Sequence, residues 1–385
     1  MLFSLNPHTP QCKVFNFLNS QLLNFLNRAV SATNFNSHLF KRFKVNNKMC
    51  ANVCWSNKPT REKFENFWIE LNKPGVDKLG IYQIAVAAQN IHLYFDDDTI
   101  LLPQIVPESL FDSLKALTTH LYTRTKDIED TKIQSNSSIG DHYQQFKIAN
   151  GNSNLCYLCG TMKLAQDRHD LDGDEEQWRS DYDHLLCKDK YPLFSVHPGN
   201  FIPTCHICNS KAKGARDLLK DSTGARRVAF YSLPPSTESC DSFARVSFTL
   251  KDINQLKLDN DFIAPINSIE INFDMVSPEI TKKIAVWEEV YKVSSRVKSE
   301  IDSCLIDRIS GDLSPNDFDD FKNQIKRVAT NIPLDIKRTE WRFWWHKLYE
   351  FLYSSGDEFL NHLWSLIEYK QNISKPDDMQ STFGI

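Results

Sequence analysis

The chain has 385 residues, enough to bury a large core without disulfides, and its ten cysteines form no regular framework, so a reducing, cytoplasmic setting is expected. A net charge of −4 gives no overall positive footprint for phosphate, and no stretch approaches the roughly 18–20 uninterrupted apolar residues of a membrane span, which argues against a membrane partner. Charge is nevertheless unevenly placed. Residues 1–61 contain eight Lys or Arg and no Asp or Glu; residues 160–183 hold eight acidic and three basic residues; residues 184–227 hold eight basic and three acidic.

Residues 1–58 read as a basic, acid-free extension in which Phe15, Leu18, Leu22, Phe25, Leu26 and Val30 fall near helical spacing. Three readings of it stand open: an organellar transit segment, an upstream stretch before a start at Met49, or a basic arm touching DNA. Residues 59–150 are expected to form a mostly helical domain. One helix opens at Pro59 and Thr60, runs through Phe64, Phe67, Trp68 and Leu71, and stops at Lys73, Pro74 and Gly75. Residues 80–97 fit strand or helix, and Leu110, Leu114, Leu117 and Leu121 mark a helix over 107–123. The stretch 124–154, charged and then rich in Ser, Asn and Gly, places a domain boundary.

Beyond a central segment at 151–225, residues 226–276 alternate with period two at Val228/Phe230, Val246/Phe248/Leu250 and Ile269/Ile271/Phe273, which predicts three strands. Residues 277–385 are helical. A Ser277-Pro278 cap starts a helix through Ile280, Ile284, Trp287, Val290, Tyr291 and Val297. Phe318, Phe321, Ile325 and Val328 mark a second. Trp341, Trp344, Trp345, Leu348 and Phe351 mark a third, and Phe359, Leu363, Trp364 and Ile367 a fourth. The tryptophan stripe reads as core; the rival reading is a base-stacking or partner-docking surface.

The central segment carries the chemistry. Cys156/Cys159 and Cys205/Cys208 are two Cys-x-x-Cys knuckles, which can supply four thiolates to one tetrahedral, structural zinc. The usual four-cysteine ribbon leaves about 15–20 residues between pairs, but 45 separate Cys159 from Cys205. That gap houses Tyr182, Asp183 and His184, then Asn200, and Asn209 directly follows the last cysteine.

This arrangement resembles the HNH endonuclease family over roughly residues 153–220, with the closing Cys-x-x-Cys-Asn pattern followed by a lysine one place early, at Lys211. The resemblance implies an α+β fold with a ββα-metal core, a small antiparallel sheet after it and helical flanks. It implies a metal-dependent nuclease hydrolysing DNA phosphodiesters, in a setting of restriction, phage defence or a mobile element. His184 would be the general base, since a neutral imidazole suits proton removal from water near pH 7. Asp183 and Asn209 would ligate Mg²⁺ or Mn²⁺, Asn200 would brace the loop, and Asn209 would open the catalytic helix. Lys211, Lys213 and Arg216 on that helix, with Lys188 and Lys190 in the loop after His184, would contact the phosphate backbone.

Other features are discounted. The acidic run at Asp170, Asp172 and Asp174 fails a calcium loop, because Arg168 and Arg179 occupy its first and last ligand positions. His169, His197 and His206 are weaker metal ligands than the cysteines, with His206 read as an exposed spacer and Cys187 as a free thiol. Two rivals remain: a non-catalytic zinc module binding nucleic acid or protein, and an interaction protein whose tryptophan-rich helices dock a partner.

Overall fold

The computed structural model describes residues 1–45, 48–166, 178–179, 182–252 and 265–374. The acidic run at 170–174, Arg168 and His169 lie outside them. The fold is α+β, with helices around short antiparallel hairpins.

Helix α1 (Lys13–Ala29) buries Phe15, Leu18, Leu22, Phe25 and Leu26, the stripe its spacing predicts. The extension expected at 1–58 is not an appendage. Met1, Leu2, Phe3 and Leu5 are buried, Phe3 N donates to Tyr157 O at 3.0 Å, and Cys240 N donates to Met1 O at 3.0 Å. Several asparagines of this segment do structural jobs. Asn52 caps α2 (Val53–Ser56), Asn57 caps α3 (Lys58–Leu71), and Asn19 donates to Gln89 Oε1 at 2.6 Å. A hairpin of β1 (Phe43–Val45) and β2 (Lys48–Cys50) lies between α1 and α2.

Residues 80–97 are helical, as α4 (Lys78–Ala87) and α5 (Leu93–Asp96). Helix α6 (Glu108–Thr123) packs its leucine face against α3. The boundary placed at 124–154 is instead occupied by α7 (Glu129–Ser135) and α8 (Ile139–Ala149). Asn136 ends α7 in the left-handed conformation, at φ 50°, and Ser138 with Asp141 forms a capping box that starts α8. The Ser- and Asn-rich stretch is cap chemistry rather than a linker.

Next come a two-residue pair, β3 (Ala165–Gln166) with β4 (Trp178–Arg179), and the central hairpin of β5 (Tyr182–His184) and β6 (Phe201–Pro203), in register Asp183 to Ile202 and His184 to Phe201. A seven-residue π-helical segment, α9 (Ile207–Lys213), follows. Of the three later strands expected, two form: β7 (Ala244–Leu250) pairs with β8 (Ile266–Phe273). Residues 228–233 are continuously buried, and Ala229 N bonds Phe95 O at 3.0 Å instead of a strand partner. Phe248 of β7 meets Phe351 and Phe359, at centroid distances of 5.1 and 5.5 Å.

The helix expected from Ser277 to beyond Val297 is two. Lys292 turns left-handed at φ 52° between α10 (Pro278–Tyr291) and α11 (Val293–Asp312). Helices α12 (Phe318–Thr330), α13 (Arg342–Ser354) and α14 (Asp357–Ser374) complete the described residues. Trp287, Trp344 and Trp345 are buried core residues, as the helical spacing indicates. Among the described residues no helix is long and apolar enough to cross a membrane.

Candidate metal centre and active site

The two knuckles converge. The sulfurs of Cys156, Cys159, Cys205 and Cys208 all lie within 4.8 Å of one another and are buried, with Cys159 and Cys205 Sγ 3.9 Å apart. A tetrahedral site with zinc–sulfur bonds near 2.3 Å needs sulfur–sulfur edges of about 3.8 Å, so these four thiols fit a metal such as zinc. At Gly160 the first knuckle turns with φ 68°, and a Cβ there would meet Leu2 Cδ2 at 2.7 Å, so the turn and the buried N-terminal segment both require glycine.

Donors surround the sulfurs. Thr161 Oγ1 lies 3.2 Å from Cys159 Sγ, Cys208 N 3.4 Å from Cys205 Sγ, and Arg296 Nη2 3.4 Å from Cys208 Sγ. Four thiolates on a divalent ion leave two negative charges, and Arg296 offsets one of them. Burial opposes its charge, yet the neighbouring sulfurs raise its pKa above the usual arginine value. Burial also resists ionisation of Cys159, but hydrogen bonds from the other three cysteines and the charge of Arg296 hold its thiol well below the usual range. The indole N–H groups of Trp287 and Trp344 donate to Leu158 O and Cys159 O, each at 2.9 Å, and Trp341 N donates to Gly160 O at 3.0 Å. The C-terminal helices thus hold the first knuckle by its backbone.

The hairpin presents Asp183 and His184 to opposite sides, as strand alternation requires. His184 packs edge-on to Tyr122 and Phe201, at centroid distances of 4.4 and 4.6 Å, and Phe15 of α1 stacks on Phe201 at 3.8 Å. Its Nε2 lies 3.4 Å from Ser195 O. A carbonyl only accepts, so Nε2 carries the proton and Nδ1 keeps the lone pair. Burial, and then the charge of Lys213, lower the His184 pKa to about 3, leaving the ring neutral at pH 7. His197 is also neutral, lowered by burial to about 4, and its Nδ1 accepts from Gly199 N at 3.1 Å.

Asp183 lies on the other side, where Lys213 Nζ sits 2.8 Å from its Oδ1 and 2.6 Å from His184 O, and Tyr291 OH is 3.4 Å from its Oδ2. Both members of the ion pair are 2% exposed. Burial raises the Asp183 pKa, and Lys213 pulls it back. Two expectations are corrected here. Lys213 is not a surface contact for phosphate, because its ammonium is spent on Asp183 and a backbone carbonyl. Asp183 does not fit as a ligand for Mg²⁺ or Mn²⁺ in this arrangement, because a cation already neutralises it and both carboxylate oxygens have partners.

Asn200 is fully buried and ties the loop together. Its Oδ1 accepts from Leu186 N at 2.7 Å, and its Nδ2 donates to Leu186 O and Phe194 O at 3.0 and 2.9 Å. Asn209 does not open the helix: α9 starts at Ile207, and Asn209 is its third residue, with its N–H on Cys205 O at 3.0 Å.

Of the remaining cations, Lys211 and Arg216 are exposed, with Arg216 Nη1 donating to Glu289 O at 3.0 Å. Lys188 is partly exposed, and Lys190 is exposed with Asp217 at 3.7 Å. His206 is an exposed spacer. Sequence reasoning missed Tyr291, Arg296, Thr161 and Tyr122. Only Thr161, two places after a knuckle cysteine, carried a local signal. No protein family, curated protein or solved structure matches the chain.

Proposed function

We propose that the β5–β6 hairpin and α9 form a phosphodiester-hydrolysing site of the HNH type acting on DNA, scaffolded by zinc in the four-cysteine cluster. The observation that carries this reading is His184: a neutral imidazole at a strand end, oriented through Nε2 on Ser195 O, with Nδ1 left to take a proton from water. A pKa near 3 makes it a weak base in the free protein, and a phosphodiester drawn beside it would raise that basicity through its negative charge. Asn200 fixes the loop carrying Ser195 O, and the exposed Lys211, Arg216 and Lys190 offer positive charge to a backbone. Restriction, phage defence or a mobile element is the setting that the resemblance suggests.

A second reading, a non-catalytic zinc module binding nucleic acid or protein, is favoured by one observation: the closed Lys213–Asp183 pair fills the place of a metal-binding carboxylate. Supercoiled plasmid incubated with the purified protein in Mg²⁺, Mn²⁺ or EDTA separates the two. The nuclease reading expects nicking that His184→Ala abolishes while zinc stays near one per chain. Undiminished cutting by that variant removes His184 from the mechanism. Plasmid binding without cutting in every metal supports the second reading.

A further inference from the structure

Among the described residues, a cavity of about 520 Å³ opens between α11, α12, the 331–341 loop and α13. Its volume lies within the range of small-molecule sites, about 300–1,000 Å³. Three guanidinium groups line it, those of Arg308, Arg327 and Arg342, against a single lining carboxylate, Asp312.

That carboxylate is committed elsewhere. It accepts from Arg308 Nε at 2.9 Å and Tyr349 OH at 3.2 Å, which holds the Arg308 guanidinium in place, 5.7 Å from the centre of the Trp345 ring. Arg342 Nε is buried and pairs with Asp335 Oδ1 at 3.4 Å. Arg327 is exposed and has no ion pair among the described residues. His346, another lining residue, is 3% exposed; its Nε2 lies 3.3 Å from Glu350 Oε1, and its Nδ1 has no partner. Buried polar atoms are nearly always satisfied in folded proteins, so the His346 Nδ1 lining this cavity points to a missing partner.

We propose that this cavity binds a phosphorylated small molecule of nucleotide size, its phosphoryl oxygens meeting the arginine forks. Arginine presents paired donors that match phosphate geometry. The apolar wall of Val328, Ile332 and Pro333 gives the remainder of the ligand a surface to cover. A lone phosphate would leave most of that volume unfilled. The proposal is independent of the nuclease reading, since none of these residues belongs to the His184 site.

Calorimetric titration of the full-length, zinc-loaded protein with ADP, ATP, adenosine, pyrophosphate and inorganic phosphate tests it. ADP or ATP should bind and adenosine should not. Arg327→Glu, an exposed position whose change leaves the core intact, should weaken nucleotide binding by about ten-fold or more, as loss of a charge-assisted contact implies, with unchanged thermal melting. Failure of ADP and ATP to bind, or equal binding by the Arg327→Glu protein, overturns the site. Pyrophosphate binding as tightly as ADP overturns the assignment of a nucleotide-sized ligand.

Discussion

Replacing Lys213 by Met tests whether Asp183 is a structural or a metal-binding carboxylate. The substitution keeps most of the buried stem and deletes the ammonium that touches Asp183 Oδ1 and His184 O. Breaking a buried ion pair from one side typically costs about 3–5 kcal/mol. The carboxylate can limit that loss by taking a proton at pH 7. From an ordinary pKa of 3.8, protonation costs about 1.4 kcal/mol for each of roughly three units, or about 4 kcal/mol in all. The lost bond to His184 O adds about 1 kcal/mol. Against a typical domain stability of about 5–15 kcal/mol, this is a large fraction. Urea denaturation of zinc-loaded protein should show the loss at pH 7 and a smaller one at pH 5, where protonation is cheaper. Asp183→Asn combined with Lys213→Met should recover much of it, giving a clear coupling energy. A loss below about 1 kcal/mol, or strict additivity in the double variant, would refute the structural role of the pair.

Three further outcomes follow from the same geometry. Cys208→Ser should lower bound zinc below one per chain and depress the melting temperature, as should a strong chelator on the wild type; an unchanged melt would remove the metal from the fold. Below pH 6.5 the unfolded chain protonates His184 and His197, which the fold keeps neutral to about 3 and 4. The unfolded state then binds more protons, so stability is full above pH 6.5 and falls towards pH 4 by a few kcal/mol, on the order of 1.4 per unit per group, less the opposing effect of the raised Asp183; a urea midpoint that does not move between pH 7 and 4.5 would contradict this. Phe15→Ala should cost about 3–5 kcal/mol in denaturant unfolding, because its ring stacks on Phe201 in the core; a loss under about 1 kcal/mol would mean that α1 is dispensable.

Periodicity made most of the helices readable. The stripes over α1, α3 and α6 are buried where the apolar spacing puts them, and those over α12 and α13 are buried at Phe321, Ile325, Trp344, Trp345 and Leu348 and half-buried at their ends, because the apolar period of a helix marks the face it turns to the core. Composition was less informative. The basic, acid-free composition of 1–58 reads as an extension and the Ser- and Asn-rich stretch at 124–154 as a domain boundary, yet Asn52, Asn57 and Ser138 occupy helix caps, where a preference for non-helical backbone starts a helix. Four cysteines at paired spacing were legible as one cluster, since each knuckle is a local structure. Lys213 was not, because a lysine beside Lys211 on a basic stretch gives no sign that it will be 2% exposed. That depends on Tyr291, which joins the same carboxylate from 108 residues away.

The backbone bonds at the first knuckle bear on how the molecule is made. Leu158 and Cys159 carbonyls wait for indoles 129 and 185 residues further along, while Phe3, synthesised long before, closes on Tyr157. Such long-range closure slows folding. Two cysteine pairs 45 residues apart must also meet before a metal can be held. A ribosome would therefore release most of this chain before its centre is locked. A fragment cut at the edges of the cysteine segment would lack the walls that keep the knuckle dry. Retention of a metal there would in this sense be a late check on assembly, passed only when early and late parts of the polypeptide have both arrived.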